Sequence, residues 1–582
     1  MASQSGGSNL PVAGIIAVIV AAIGAALFTR VPLEVPRPPV NSGLRYQEPA
    51  LQDLEACLWE DPFASVYRAR KEAGGALPAG PKHTLNGVCD DLRMLGPGAK
   101  VVANRDARLL VLGVMVSNAP YSDGEEQRRR VRYAVQAAMN VSQFTPENAQ
   151  HVGYVRFGAE PESLLIPFEL FKRKNSGEMR NDYRVLVLWL EDEWFQQDLG
   201  SGPAPLTRVQ SLAQGLTARC AAPARSAAEQ PLVVSLSMLG PATSDTLRAM
   251  RQEAGLVEKT LGRPARELTP AQRQMLWPGL RKVSFYSPFA TAAEKDLLQR
   301  DECDRRDRTP QAPLPAGTTP RECSLHALFK AQDIRFLRTT TTDLDLARTL
   351  AAELHQRGVW PGAKHGHFVA LISEWDTYYG RMLPKAFQRV IGSERDCETD
   401  PSEAYGAVEG APRSAGCRVL RFGYFRGLDG QVPADSSATK AAPAPDLVKS
   451  LTTRPQLERA EGPKQFDYLR RLADRIKRDN LRLRELAPAV HAPPPDGYFR
   501  DECDEELCAI GILGSDVYDK IAVLRALRRE FPRAVFFTTD LDVRMLDGEQ
   551  YEWTRNLIVV SSFGLELNPC LQKTVPPFRS GY

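Results

Sequence analysis

Between about residue 105 and residue 565 one pattern keeps returning: an unbroken apolar run of strand length, a polar turn, then apolar residues at helical spacing. Leu109 to Val116 (LLVLGVMV) opens the series, followed by SNAPYSDG and a helix with Val131, Val135, Ala138 and Met139 on one side. HVGYVRF (151–157), YRVLVLWL (183–190), PLVVSLSML (231–239) and KVSFYSPF (282–289) are the next strands. Strands that are apolar throughout have no wet face. With helices between them they predict a parallel sheet covered on both sides.

The pattern restarts near Asp343, which is placed to cap a helix carrying Leu346, Ala347, Leu350, Ala351 and Leu354 on one face and ending at Gly358. HFVALIS (367–373) follows, then a helix with Leu383, Phe387, Val390 and Ile391 along one side. VLRFGYF (419–425), AIGILG (509–514) and AVFFTT (534–539) complete a second strand series, with amphipathic helices at 466–487 and 517–530. No short repeat runs through the chain, so the expected body is two α/β lobes in tandem. A length of 582 residues fits several such units. With 43% hydrophobic and 25% charged residues, a disordered chain, a fibrous repeat and a multi-spanning transporter are excluded. A net charge of +3 gives no electrostatic case for a nucleic-acid partner.

Leu10 to Phe28 is nineteen residues without a charge, long enough at about 1.5 Å per residue to cross a bilayer. An uncleaved single-pass anchor is expected; a cleaved signal peptide and a buried core helix are the alternatives, the former disfavoured because no Lys or Arg precedes the run. Residues 1–9 form a short tail, 29–45 a proline-rich linker, and 46–100 an N-terminal arm that either packs on the first lobe or docks a partner. The arm carries Trp59 and Phe63 one helical turn apart. Arg30, Arg37 and Arg45 after the span favour a cytoplasmic body. The cysteines point the other way. Cys303 with Cys323, Cys397 with Cys417 and Cys503 with Cys508 are close pairs in loop-like segments, and Cys57 with Cys89 is a fourth candidate disulfide. That leaves Cys220 and Cys570, and favours an oxidising compartment. The expected location is the inner membrane with the body in the periplasm, the alternative a cytoplasmic body.

Several strand-end segments together carry a resemblance. GPATSDTL (240–247), SPFATA (287–292), RFLRTTTTD (335–343), VALISEWDTYYGR (369–381), GSDVYDKIAVLRALR (514–528) and FFTTD (536–540) stand in an order and spacing that resembles the type I periplasmic-binding-protein family, the leucine/isoleucine/valine-binding branch in particular. The resemblance implies two Rossmann-like lobes with parallel sheets, lobe 1 over 101–334, lobe 2 over 335–555, and a return to lobe 1 over 556–582. It implies a crossover at Arg335 to Asp343, a return through Asn556 to Phe563, and a ligand site between lobes that close around it. Ser244 and Thr291 match first-lobe positions at which hydroxyls and backbone N–H groups hold a ligand carboxylate. Glu374, Asp376 and Tyr378, with Asp516 and Asp540, are the second-lobe candidates to meet an ammonium group. Each of these is equally a turn former or helix cap by type. The chain departs from the family in the 34 residues between Arg248 and Arg281, in SNAPYSDG, and in the apolar segment and arm that precede the body.

No HExxH, zinc-finger spacing, phosphate loop or GxSxG elbow occurs. His365 and His367 read as a solvent-facing pair, with metal coordination from their shared face the weaker alternative, and the arginines of RRRVR (128–132) as a solvated face with phospholipid contact the weaker alternative. No enzyme activity, cofactor or metal is expected. The expected protein is a membrane-anchored binding or sensor module for a small polar, amino-acid-like ligand, passing a signal to a protein partner. The alternatives are an interaction protein with a degenerate cleft, the substrate-binding component of a transporter, and a tethered hydrolase using Glu374 and Asp376.

Overall fold

The computed structural model describes residues 54–55, 60–64, 88–89, 107–117, 122–147, 151–157, 164–174, 183–196, 204–220, 232–261, 268–269, 272, 276–298, 324–359, 367–391, 418–428, 465–486, 507–573 and 575–581. Leu10 to Phe28, the linker and most of the arm lie outside these residues. Among the described residues no helix is long and apolar enough to cross a membrane.

Strands β1 (Leu54–Glu55), β2 (Ala107–Val116), β3 (Phe144–Pro146), β4 (His151–Phe157), β5 (Leu164–Arg173), β6 (Tyr183–Glu191), β7 (Leu232–Leu239), β8 (Ser284–Ser287) and β9 (Arg335–Arg338) form one sheet. Its order is β1-β4-β5-β6-β2-β7-β8-β9, with β3 on β5. The β6-β2-β7-β8-β9 half is parallel. The other half is antiparallel, which corrects the expectation of a parallel sheet here. The run 151–157 is a strand as expected, but it returns beside β5, a strand the sequence analysis did not identify. Pro167 and the polar Glu169 and Lys172 interrupt the apolar run LLIPFELFKR, so only pairing with its neighbours makes it a strand.

The second sheet is parallel throughout: β10 (Phe368–Glu374), β11 (Val419–Tyr424), β12 (Leu507–Leu513), β13 (Val535–Thr539) and β14 (Ile558–Val560), ordered β11-β10-β12-β13-β14. Every residue of β10 and β12 is buried, as the apolar runs Phe368–Ile372 and Leu507–Leu513 require, and Ser373 and Glu374 at the end of β10 are buried with them. Gly511 sits mid-strand because its neighbours fill the space: an added Cβ would lie 2.2 Å from the Phe537 ring. The segment 556–563, expected as the return to the first lobe, places β14 in the second sheet beside β13. Beyond β14 the chain meets the first lobe again where Phe578 lies edge-on to the Tyr133 ring at 6.5 Å.

In chain order the helices are α1 (Ser122–Val141), α2 (Asp192–Gln196), α3 (Pro205–Cys220), α4 (Ser244–Leu261), α5 (Glu294–Leu297), α6 (Leu325–Ala331), α7 (Asp343–Gln356), α8 (Tyr378–Val390), α9 (Gln465–Leu486), α10 (Val517–Leu527), α11 (Tyr551–Thr554) and α12 (Pro569–Gln572). On the first sheet, one face packs against α3, α4 and α6, and the opposite face against α1. On the second, α9 and α10 pack one face while α7 and α8 cover the other. The predicted face of α7 is buried, although Thr342 rather than Asp343 is its cap, accepting from Asp345 N.

The described residues of the arm pack on the first lobe. β1 pairs with β4. Asp61 takes a two-pronged ion pair from buried Arg128 (Nε and Nη2 to its carboxylate, 2.7 Å at the shortest), and Phe63 is buried beneath that guanidinium. Arg132 bridges Glu60 O and the buried Glu169 carboxylate. Arg128 and Arg132, expected on a solvated face, are therefore interior anchors. On the other side of the sheet Cys89 is disulfide-bonded to Cys220, with Cα atoms 5.0 Å apart. This replaces the expected Cys57–Cys89 pairing. Cys508 is also disulfide-bonded, and Cys570 is free and exposed. Cys57, Cys303, Cys323, Cys397, Cys417 and Cys503 lie outside the described residues, as does His365. His367 is buried rather than solvent-facing.

Candidate functional site

Parallel strands put their carboxyl ends on one edge, and the loops beyond those ends are where an open α/β sheet can gather polar side chains. In the first lobe these loops follow β6, β7 and β8. The loop after β7 runs through a cis Gly240–Pro241 bond into α4. Ser244 Oγ, at the start of that helix, accepts from Ala292 N at 3.1 Å, so the fold brings together Ser244 and the segment holding Thr291. The Ser287 hydroxyl donates to Pro241 O at 3.2 Å and ties the same two loops.

Beneath them lies a carboxylate that sequence reasoning missed. Asp192, at the end of β6, is fully buried. It accepts from Thr243 Oγ1 at 2.6 Å, Thr246 Oγ1 at 2.5 Å, Ala242 N at 2.9 Å and Gln196 Nε2 at 3.1 Å. Burial pushes its carboxyl up to about 6, and Glu193 adds to the rise; the two hydroxyls and the amide oppose it. The signal was an Asp following an apolar strand, in the same position as the residues that were selected.

Chain passage between the lobes occurs at Thr339 to Thr342. Thr339 N donates to Ser287 O at 2.9 Å and Asp343 N to Thr291 O at 2.7 Å, so the crossover continues the pairing of β9 with β8. Thr340 Oγ1 donates to Ser562 Oγ at 2.9 Å, bringing the crossover beside the chain that leaves β14. Asp343 is fully buried here, and among the described residues neither carboxylate oxygen makes a well-formed hydrogen bond. Thr291 Oγ1 and Arg338 Nη2 are buried and equally without a well-formed bond. Burial pushes the Asp343 carboxyl up to about 7. Asp540 and Asp296 contribute to the rise, while the nearby Thr291 hydroxyl and Arg338 work against it.

The second-lobe candidates divide. Asp540 has a left-handed backbone (φ 63°) and accepts from Tyr379 Oη at 2.7 Å. Buried Lys520 lies 3.5 Å from its carboxylate and donates to Thr539 O at 2.7 Å. Tyr378 is buried in the apolar core of the first lobe, its Oη donating to Asp296 O at 3.2 Å and Arg248 lying 4.8 Å over its ring. Burial and the Asp296 charge push its hydroxyl up to about 12.

Glu374, Asp376 and Asp516 are engaged within the second lobe instead. Glu374 is fully buried and joins two strand ends, accepting from Thr377 Oγ1 at 2.6 Å and from Ser515 N at 2.9 Å. Its carboxyl is raised, by burial above all. Asp376 pairs with Arg426 Nε at 2.9 Å. Asp516 caps α10 by accepting from Tyr518 N at 2.9 Å. Ser244, Thr291, Tyr378 and Asp540 thus surround the junction with Asp343 and Arg338, which were not selected from sequence.

The lobes also touch on both flanks of this junction. Arg389 of α8 reaches Asp296 at 2.9 and 3.4 Å, and Arg130 of α1 pairs with Asp542. Among the described residues no group of His, Cys, Asp and Glu has the arrangement of a metal site.

No protein-family model matches the chain, and no curated protein matches it. Among solved structures, the chain is similar to an ABC transporter substrate-binding protein from Desulfitobacterium hafniense in complex with Leu, at 12% identity over 81% of this chain and 78% of that one, TM-score 0.30. A second structure, an ABC transporter substrate-binding protein from the same organism, aligns at 13% identity over 81% and 79%, TM-score 0.30. A leucine-binding protein from Thermotoga maritima MSB8 aligns at 11% identity over 77% and 67%, TM-score 0.26. Likeness at this level carries no argument; the two-lobed α/β architecture rests on the strand pairing described above.

Proposed function

We propose that this chain is a binding protein that takes a small polar ligand between its two lobes. The supporting observation is a buried polar cluster at the crossover: the Asp343 carboxylate, the Thr291 hydroxyl and Arg338 Nη2, none in a well-formed hydrogen bond, although the hydroxyl and the Arg338 charge both favour the ionised carboxylate. An unsatisfied buried carboxylate costs several kcal/mol, a cost that a ligand ammonium offsets when it arrives. Arg338 offers a donor to a ligand carboxylate beside it, so an amino-acid-like zwitterion is the ligand class proposed. Ser244 and Asp192 shape the loop next to Thr291, and Asp540 and Tyr379 face the junction from the second lobe.

The proposal extends to the setting. Leu10 to Phe28 holds the body at the inner membrane on its periplasmic side, and closure of the lobes is passed to a protein partner. Titration calorimetry of the full chain against the common amino acids tests the binding: a saturable heat that Asp343→Asn abolishes is expected, and no heat with any of them removes the reading. Thiol labelling of intact cells tests the setting, because a periplasmic body leaves Cys570 accessible to an impermeant reagent.

A second reading has its own observation. Tyr378 seated in the first-lobe core, with Arg389–Asp296 and Arg130–Asp542 on the flanks, ties the lobes directly. That favours an interaction protein whose cleft stays shut. Acid–base catalysis by Glu374 and Asp376 has no such support, since both carboxylates already serve Thr377, Ser515 and Arg426.

A further inference from the structure

Helix α9 packs on the second sheet through Leu469, Leu472, Ala473 and Ile476, all of them buried. Its outward side is basic. Among the described side chains of α9, the exposed ones are Arg470, Arg471, Asp474, Arg478, Leu481 and Arg482. At about 100° and about 1.5 Å per residue, all six fall within an arc of about 120° and extend along about 18 Å of helix. They form one straight stripe, positive in a chain whose net charge is only +3. Nearby acids do not cancel it. Asp479 is turned inward and buried, 3.6 Å from Arg482, and Glu530, just beyond α10, is taken by Lys477. With Asp479 set against Arg482 and Asp474 against a second arginine, two positive charges remain, and half-buried Arg475 adds to them.

Leu481 decides what kind of anionic surface fits. It stands between Arg478 and Arg482 on the stripe and is 55% exposed. A large apolar side chain among arginines has no use for the carboxylates of an acidic peptide. An anionic bilayer uses both components: guanidinium groups bond to lipid phosphates, and the leucine enters the boundary between headgroups and acyl chains. The same chain contains Leu10 to Phe28, nineteen residues without a charge and long enough to cross a bilayer. Deeper insertion of α9 is prevented because its apolar side is committed to the core of the second lobe. The contact is therefore shallow and electrostatic.

We propose that the outward face of α9 docks the second lobe on an anionic lipid surface. Arg471, Arg478 and Arg482 hold headgroup phosphates, with Leu481 seated among them. Docking fixes the orientation of that lobe to the membrane, where a tether alone would leave it free to rotate. The inference goes beyond ligand binding between the lobes, and it rests in part on Leu10 to Phe28 bringing the body to a bilayer.

Photo-crosslinking of the full chain on lipid vesicles is the test, with a benzophenone side chain in place of Leu481; the probe is itself apolar and keeps the character of the stripe. On vesicles of equal parts phosphatidylglycerol and phosphatidylcholine, lipid adducts on the peptide 465–486 are expected at a yield on the order of tenfold that on phosphatidylcholine alone. Arg471→Gln, Arg478→Gln and Arg482→Gln together should remove the excess. So should about 1 M NaCl, which shortens the screening length to about 3 Å and tests the contact with the arginines unaltered. No lipid adduct on the anionic vesicles overturns the proposal, as do equal yields on the two kinds of vesicle, or adducts to a second copy of the chain in place of lipid. An alkaline wash reads the anchor separately. A chain that washes off yet forms the adducts loses the anchor and keeps the docking face, whereas one that stays on the vesicles without adducts does the reverse.

Discussion

The main-chain N–H of Asp343 donates to the carbonyl oxygen of Thr291 across 2.7 Å, joining the first residue of a second-lobe helix to a first-lobe loop. Both side chains are buried beside that bond. The polypeptide therefore changes lobes where the N–H groups of Thr339 and Asp343 are bonded to the first lobe, while the Asp343 carboxylate and the Thr291 hydroxyl make no well-formed hydrogen bond. A carboxylate in such a place makes stability depend on pH with a definite sign.

For Asp343 the folded state raises the carboxyl from its ordinary value near 4 to about 7. A raised value means the folded state binds the proton more tightly, so the stabilisation is complete below about 4 and is lost as pH rises through about 7. Urea denaturation is expected to show the wild type less stable at pH 8 than at pH 5. Asp343→Asn should narrow that difference by an amount on the order of 2–4 kcal/mol. Asp192, raised to about 6, and the raised carboxyls of Glu374 and Glu253 contribute with the same sign, so a residual slope remains.

Replacing Asp192 with Ala leaves Thr243, Thr246 and the Ala242 N–H without their shared acceptor. The expected cost is about 2–4 kcal/mol in urea denaturation. The loop carrying Ser244 loses its support as well, so ligand affinity should fall even at temperatures where the variant is fully folded.

Arg132 and Glu169 are both buried and pair at 2.8 and 3.0 Å, with Trp189 Nε1 donating to the same carboxylate at 3.1 Å. Arg132→Ala is expected to cost about 3–5 kcal/mol, because the remaining carboxylate is uncompensated. Arg132→Met with Glu169→Gln removes both charges and should recover a large part of the loss. Equal destabilisation by the single and double variants would count against an ion-pair role.

Cys89 and Cys220 close a loop with a sequence separation of 131. Substituting both with Ser should cost about 2–5 kcal/mol and free the arm from α3. A peptide map without reductant is expected to contain the Cys89–Cys220 cross-linked fragment and no Cys57–Cys89 fragment.

Strand positions were the most legible feature. β10, β12 and β13 emerged at nearly their observed limits because unbroken apolar runs have one stable setting, the middle of a sheet covered on both faces. β5 was not legible, since Pro167, Glu169 and Lys172 break its periodicity and Glu169 is tolerated because Arg132, Trp189 and Gln136 arrive from other segments. Arg128 and Arg132 were misplaced for the same reason: a basic run reads as solvated until Asp61 and Glu169 arrive from distant segments. Of the site residues, type and strand-end position singled out Ser244, Thr291, Tyr378 and Asp540 along with Glu374, Asp376 and Asp516. Nothing in type or position separates those that meet at the junction from those tied up within one lobe.

The sequence by itself determined two α/β lobes and their order along the chain, because periodicity and apolar run length are local properties; the crossover near residue 340 came only from the resemblance of the strand-end segments. Only the tertiary structure decided which sheet receives β14, which cysteine Cys89 meets, and that Asp343 is left without a dedicated cation. Those outcomes depend on which distant groups share a buried volume, and burial strengthens every charge and hydrogen bond in it by excluding water.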